Sequence, residues 1–178
     1  MTINEIFTKL IHHMIKGLMV HDQLTDYYLF LDLEGYRLEQ ECKYENESTN
    51  YRELYKHFVT NHNMLINVGQ IENPNIIPSS WYKYTRFDVD ISTKKKGIEN
   101  AFEEWKKWET ASLKLYSEMY KELMNLNEVS SALYLKDLIE DVTEELREIN
   151  SSILKLKAVD YDMTYIYEEQ DRLINELY

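Results

Sequence analysis

Apolar side chains recur at intervals of three and four residues along most of the chain, which is the pattern of amphipathic α-helices. The first of these runs follows Thr2-Ile3-Asn4-Glu5, a sequence with the form of a helix-capping box. Three more long runs and one short run come after it. The pattern therefore predicts five helices, over about residues 2–33, 37–66, 98–124, 127–156 and 161–177.

Residues 67–97 interrupt the helical pattern between the second and third predicted helices. They contain both prolines, two of the four glycines and the large aromatic residues Trp81, Tyr82, Tyr84 and Phe87. A polar linker would not carry so many large rings, so we expect a crossover that packs along the outside of the helices. The predicted fold is a single all-α domain over residues 1–178. It is an antiparallel four-helix bundle with a long crossover between helices 2 and 3 and a short extra C-terminal helix.

The net charge and the composition indicate which kinds of molecule the protein could bind. The formal net charge is −12 and the pI is about 4.9. Such a field repels nucleic acids and anionic membranes but attracts cations and basic protein surfaces, although it also simply favours solubility. We therefore expect no direct nucleic acid binding and no membrane association. A single cysteine, no signal peptide and no apolar run of membrane-spanning length predict a cytoplasmic protein.

Acidic residues stand on the otherwise apolar stripes of three predicted helices. One such glutamate lies near the middle of each of helices 2, 3 and 4: Glu47, Glu109 and Glu145. Asp141 and Glu144 flank the last of them on the edges of the same stripe. Burying a carboxylate is costly unless it is paired, protonated or bound to a metal. Carboxylates converging from facing helices are the usual way to build a dinuclear metal site in a bundle.

A second interpretation of these glutamates needs no metal. Fifteen tyrosines are available to donate hydrogen bonds to them, and Arg52 or Lys136 could pair with them. The geometry at the centre of the bundle separates the two interpretations. Carboxylates about 4–5 Å apart around a shared cavity would favour metal, whereas tyrosine hydroxyls or an arginine in that space would favour internal pairing.

The sequence resembles the ferritins in topology and in the spacing of several residues. Residues 31–36 read Leu-Asp-Leu-Glu-Gly-Tyr, and Gly35 and Glu47 keep the distance between the start of helix B and the Glu-x-x-His motif of that family. Asn50 stands where the histidine would be. Glu109 is similar to the helix C glutamate, and Asp141, Glu144 and Glu145 fall where bacterial ferritins carry acidic ligands. The resemblance implies a ferritin-like bundle with a metal site formed by Glu47, Asn50, Glu109, Asp141, Glu144 and Glu145.

The departures from the family pattern imply a degenerate site. The motif histidine is replaced by Asn50, and Val142 stands where a glutamine or glutamate is expected. The inward glutamate of helix A is missing, since that region reads His12-His13-Met14-Ile15. His13 is one substitute, and His21 or Asp22 would serve only with a shifted register.

Two functions follow from the sequence. The first is a ferritin-like protein with a degenerate metal site that acts by binding a protein with a basic surface, using crossover residues such as Trp81 and Tyr84. An AT-rich coding bias and a metal site that has lost expected ligands are typical of a phage or mobile-element protein. The alternative is a non-haem iron-binding protein or ferroxidase that uses the bundle carboxylates. The expected cofactor is accordingly none or a divalent metal (Fe, or else Mn or Zn), and homo-oligomerisation is left open.

Overall fold

The computed structural model describes residues 1–177 and contains five α-helices, with no strand among those residues. The helices are α1 (Ile3–Phe30), α2 (Glu34–His62), α3 (Ile91–Asn125), α4 (Val129–Ala158) and α5 (Met163–Leu177). The predicted all-α fold class is confirmed. Tyr178, the last residue of the predicted domain, lies outside the described residues.

Local sequence signals explain where the helices begin and turn. The predicted capping box is present, since the Thr2 hydroxyl accepts from the Glu5 amide at 3.3 Å and the Glu5 carboxylate accepts from the Thr2 amide at 2.8 Å. The three short turns use residues with positive φ: Asp32 between α1 and α2, Asn127 between α3 and α4, and Asp160 and Tyr161 between α4 and α5. The first two of these turns make consecutive helices antiparallel neighbours.

Two helix boundaries differ from the expected ones. Helix α2 ends at His62 because Asn63 adopts a left-handed conformation, with φ of 52°. Helix α3 begins at Ile91, earlier than the apolar pattern indicates, because Asp90 caps it by accepting from the Thr93 amide at 2.9 Å. The crossover is therefore residues 63–90, and the basic run at residues 94–96 lies within the first turns of α3.

The crossover packs along the outside of the bundle. Ile76 is buried, and its amide donates to the side chain of Gln23 on α1 at 3.0 Å. The Trp81 ring covers Gly97, where a Cβ atom would lie 2.4 Å from the ring. Trp81 also meets the Tyr27 ring edge-on at 5.4 Å. The crossover is thus fixed by aromatic packing.

The core is divided into two apolar clusters, one towards each end of the bundle. On α1 the first cluster ends at Met14 and the second begins at Val20. On α3 the corresponding limits are Tyr116 and Trp105. The helices pack closely as α1 with α2, α3 with α4, α1 with α3, and α5 with α2. Helices α2 and α4 are not among the closely packed pairs of the described residues, so the middle of the bundle is open along their seam.

Candidate metal centre

A cavity of about 540 Å³ lies between the two apolar clusters, along the seam between α2 and α4. All six residues predicted from the sequence line it: Glu47, Asn50, Glu109, Asp141, Glu144 and Glu145. Residues three or four apart on a helix share a face, so α2 directs Glu47 and Asn50, and α4 directs Asp141, Glu144 and Glu145, towards the cavity. The structure therefore brings the predicted set together around one space.

The acidic residues occupy two depths in this cavity. The inner group consists of Glu109, Glu145 and Glu47. The side chain of Glu109 is 5% exposed and that of Glu145 is 14% exposed, while Glu47 is half-buried. Asp141, Glu144 and Glu148 are exposed at the mouth, and Glu144 forms an ion pair with Arg147. The deep site is therefore made by three carboxylates from α2, α3 and α4.

Burial and mutual repulsion favour the protonated forms of two inner carboxyls. Burial, together with the charge of Glu145, raises the pKa of Glu47 to about 8. Burial, with Glu145 and Glu47 adding to it, holds the pKa of Glu109 well above its usual range. The cavity is consequently short of positive charge, and any cation that enters it competes with protons.

Among the described residues, Lys43 supplies the one ammonium group that lines the cavity. Its Nζ lies 3.1 Å from Glu145 Oε1, and the Trp105 Nε1–H donates to the same oxygen at 3.1 Å. Arg52 and Lys136, which the sequence offered as partners for the inner carboxylates, do not pair with them. Both side chains are exposed, and Lys136 pairs with Glu140. Lys43 is not among the predicted site residues, because it stands on a polar stretch of α2 and reaches the cavity through its long side chain.

Helix α1 contributes a histidine to the cavity, at His21. Burial lowers the pKa of His21 to about 4, so the ring is neutral. Its Nδ1 lies 2.9 Å from Gln40 Oε1, and when the Nδ1–H donates to that oxygen the lone pair is on Nε2, which lies 3.7 Å from Glu109 Oε1. A histidine fixed by a partner on its other nitrogen is the usual form of a metal-ligating imidazole.

His13, the first substitute considered from the sequence, does not line the cavity. Its ring stacks on Trp108 with centroids 4.2 Å apart, and its Nε2 is 2.8 Å from the Ser112 hydroxyl. Of the two histidines considered from the sequence, His21 lines the cavity and His13 does not.

Gly17 occupies the position on α1 that faces Glu47. A Cβ atom there would lie 2.8 Å from Glu47 Oε1 and 3.1 Å from Trp108 Cζ2. No larger residue fits unless the Glu47 side chain moves. Helix α1 thus provides space at Gly17 for the α2 carboxylate.

The donor set fits a divalent metal ion, although its present arrangement is not a finished coordination shell. Three carboxylates and a neutral imidazole are ligands that Fe²⁺, Mn²⁺ and Zn²⁺ accept. Within residues 1–177, however, no three His, Cys, Asp or Glu side chains lie close enough to hold one ion as they stand. The inner carboxylates would have to rotate towards the ion.

A second cavity, of about 510 Å³, lies beside the first and is covered by α5. Its lining includes Glu39 and Trp105. Burial raises the pKa of Glu39 to about 7, while the nearby charge of Lys43 acts in the opposite direction. Lys43 therefore stands between an acidic group of each cavity.

In the described part of the chain no helix is long and apolar enough to cross a membrane.

No protein-family model and no curated protein matches the sequence. The structure is similar to the open-pore ferritin of the archaeon Archaeoglobus fulgidus, at 17% identity over 95% of this chain and 93% of that chain, with a TM-score of 0.75. An engineered closed form of the A. fulgidus ferritin gives 16% identity, 97% and 96% coverage and a TM-score of 0.76. An iron-soaked variant of PmFTN gives 11% identity, 94% and 95% coverage and a TM-score of 0.73. Taken with the helix order and the long crossover, these similarities show that the chain has the ferritin-like fold.

Proposed function

We propose that this protein binds a divalent metal ion, with Fe²⁺ as the first candidate, in the cavity at the middle of its bundle. The observation that carries the proposal is the convergence of three inner carboxylates, Glu47, Glu109 and Glu145, on one cavity that also receives the imidazole of His21. Ferritins share the fold, and the iron-soaked variant among them supports iron as the ion to test first.

The charge balance favours a single ion. Three ionised carboxylates and the Lys43 ammonium leave two negative charges in the inner site, which one divalent cation neutralises. Binding would release the protons that burial keeps on Glu47 and Glu109, so affinity should rise with pH.

The surrounding residues prepare these groups for an ion. Gln40 orients the His21 ring through its Nδ1, and the Trp105 indole holds one oxygen of Glu145. When bound, iron would supply redox chemistry with O₂. With Asn50 in place of the family histidine, and Lys43 inside the site, we propose a degenerate site that holds metal rather than a complete di-iron ferroxidase.

Metal binding can be tested by native mass spectrometry and calorimetry with Zn²⁺, Mn²⁺ and, without oxygen, Fe²⁺. The wild type should bind with a measurable stoichiometry, and the Glu47→Gln/Glu109→Gln double variant should not. A Glu53→Gln/Glu118→Gln double variant is the matched control, because both side chains are exposed on the same two helices. A wild type that binds none of the three ions, or binding that survives in the first double variant, would disprove the proposal.

Binding of a basic protein partner is the second candidate function, and the exposed part of the crossover favours it. Phe87 is 94% exposed and Tyr82 75% exposed, whereas Trp81 packs against the bundle. We therefore move the proposed contact residues from Trp81 and Tyr84 to Tyr82 and Phe87. A partner captured by the wild type should be lost with Phe87→Ser/Tyr82→Ser and at high salt. Retention under both conditions would exclude this surface.

A further inference from the structure

The ammonium group of Lys43 lies inside a set of carboxylates rather than over the protein surface. Its side chain is 24% exposed, and its Nζ is 3.1 Å from the Glu145 carboxylate, which is itself 14% exposed. The charges of Glu39 and Glu109 also act on it and, with Glu145, raise the pKa of Lys43 despite its burial. Lys43 is therefore a fixed positive charge in the interior of the bundle.

Other lysine pairs of the bundle differ from this one. Lys136 and Glu140 form a pair one helical turn apart, with side chains 56% and 65% exposed. Lys157 and Glu103 join α4 to α3 with 47% and 44% exposure. Such pairs sit in solvent and contribute little. Lys43 instead gives up much of its hydration, and the ion pair with Glu145, together with the charges of Glu39 and Glu109 farther away, keeps it charged there.

The same carboxylate that Lys43 holds is one of the three proposed to hold a metal ion. Glu145 has one oxygen shared by the Lys43 ammonium and the Trp105 indole. An ion that entered the cavity would find that oxygen already engaged and would be repelled by the ammonium beside it. In charge and position the lysine thus behaves as a cation that has already been bound.

From this arrangement we infer that the Lys43 ammonium is a tethered counter-cation that occupies one cation position of the cavity, so that the protein holds one divalent ion fewer than its carboxylates would otherwise accept. The inference rests on the proposed metal site and assigns Lys43 a role in setting its stoichiometry. Asp141 and Glu144, at the mouth of the cavity, supply the acidic side chains that an additional ion would need.

The test is a count of bound ions in charge-changing and charge-keeping variants. Native mass spectrometry with Zn²⁺ would be run on the wild type, Lys43→Gln and Lys43→Arg, with Lys56→Gln as control, since Lys56 is an exposed lysine of the same helix. We expect Lys43→Gln to bind one more ion than the wild type, and its first ion to bind at least about tenfold more tightly. Lys43→Arg and Lys56→Gln should keep the wild-type count.

The outcomes separate this inference from the proposed function. Equal ion counts in the wild type and Lys43→Gln would overturn the inference, whether or not the wild type binds metal. A wild type without metal, beside a Lys43→Gln variant that binds it, would support the inference and overturn the proposed function. Thermal melting checks that each variant is folded. Lys43→Met, an uncharged side chain of similar length, replaces Lys43→Gln if that variant does not fold.

Discussion

Replacing Glu47 with glutamine should stabilise the metal-free protein at alkaline pH. The pKa of Glu47 is about 8 in the folded protein against an ordinary value of 4.5, because the carboxyl is buried and lies near Glu145. The folded state therefore keeps a proton that the unfolded chain has already lost. Wild-type stability must fall as the pH rises from about 4.5 to about 8, because the folded protein binds more protons in that window.

The size of the effect follows from this pKa difference. At about 1.4 kcal/mol for a tenfold change in proton affinity, the upper bound is about 5 kcal/mol. Glu47 is only half-buried and faces an open cavity, so water and side-chain movement reduce the penalty. We expect about 1–2 kcal/mol, or about 2–8 °C in melting temperature for a chain of this size.

The assay is urea denaturation of the wild type and Glu47→Gln at pH 5 and pH 8.5, with a chelator present. The gain in the free energy of unfolding should be small at pH 5 and full at pH 8.5, since glutamine has no charge to lose. Glu53→Gln, which changes an exposed glutamate of the same helix, should be nearly neutral at both values. A variant less stable than the wild type at pH 8.5 would refute the reasoning, because it would mean that the charged Glu47 is paired.

Three further substitutions test the helix packing at Gly17 and Gly35 and the reach of position 50 into the cavity. Gly17→Ala should change the stability little, because the higher helix propensity of alanine offsets the displacement of the Glu47 side chain and the tight contact of 3.1 Å with Trp108 Cζ2, but it should weaken Zn²⁺ binding in calorimetry. Gly35→Ala should cost about 2 kcal/mol or more in urea denaturation, because its methyl group would lie 2.4 Å from the backbone oxygen of Gln170 and push α5 away. Asn50→His, which restores a histidine to the wall of the cavity, should tighten Zn²⁺ binding about tenfold, and an unchanged affinity would show that position 50 does not reach the ion.

Much of the fold follows from helical periodicity, because each long helix must bury one apolar face. The apolar pattern does not locate a helix end that is set by a single residue. Asp90 caps α3 ahead of a basic stretch that carries no apolar signal, and Asn63 ends α2 before its last apolar residues. The resemblance to ferritins, stated from spacing alone, is confirmed for the fold.

The inner glutamates could be predicted because a charged residue on an apolar stripe is visible in one helix at a time. His21 gives a weaker form of the same signal, since it lies one turn after Gly17 and beside Val20 on the buried face of α1. Lys43 gives none. Its place depends on the relative height of α2 and α4 and on the length of its own side chain, neither of which a sequence pattern records. That these residues bind metal stays a prediction.

Burial of the inner carboxyls costs the fold stability, and the proposed metal ion would offset part of that cost. Apolar clusters lie on both sides of the inner site, and apolar side chains in place of Glu47 and Glu109 would join them into one core. Lys43 relieves this cost only in part, because it leaves two carboxyls whose pKa values stay raised. With all three carboxyls ionised, the inner site would carry two negative charges beyond the charge that Lys43 neutralises. The metal-free protein avoids those charges by keeping protons on Glu47 and Glu109, and a divalent ion would take the place of these protons.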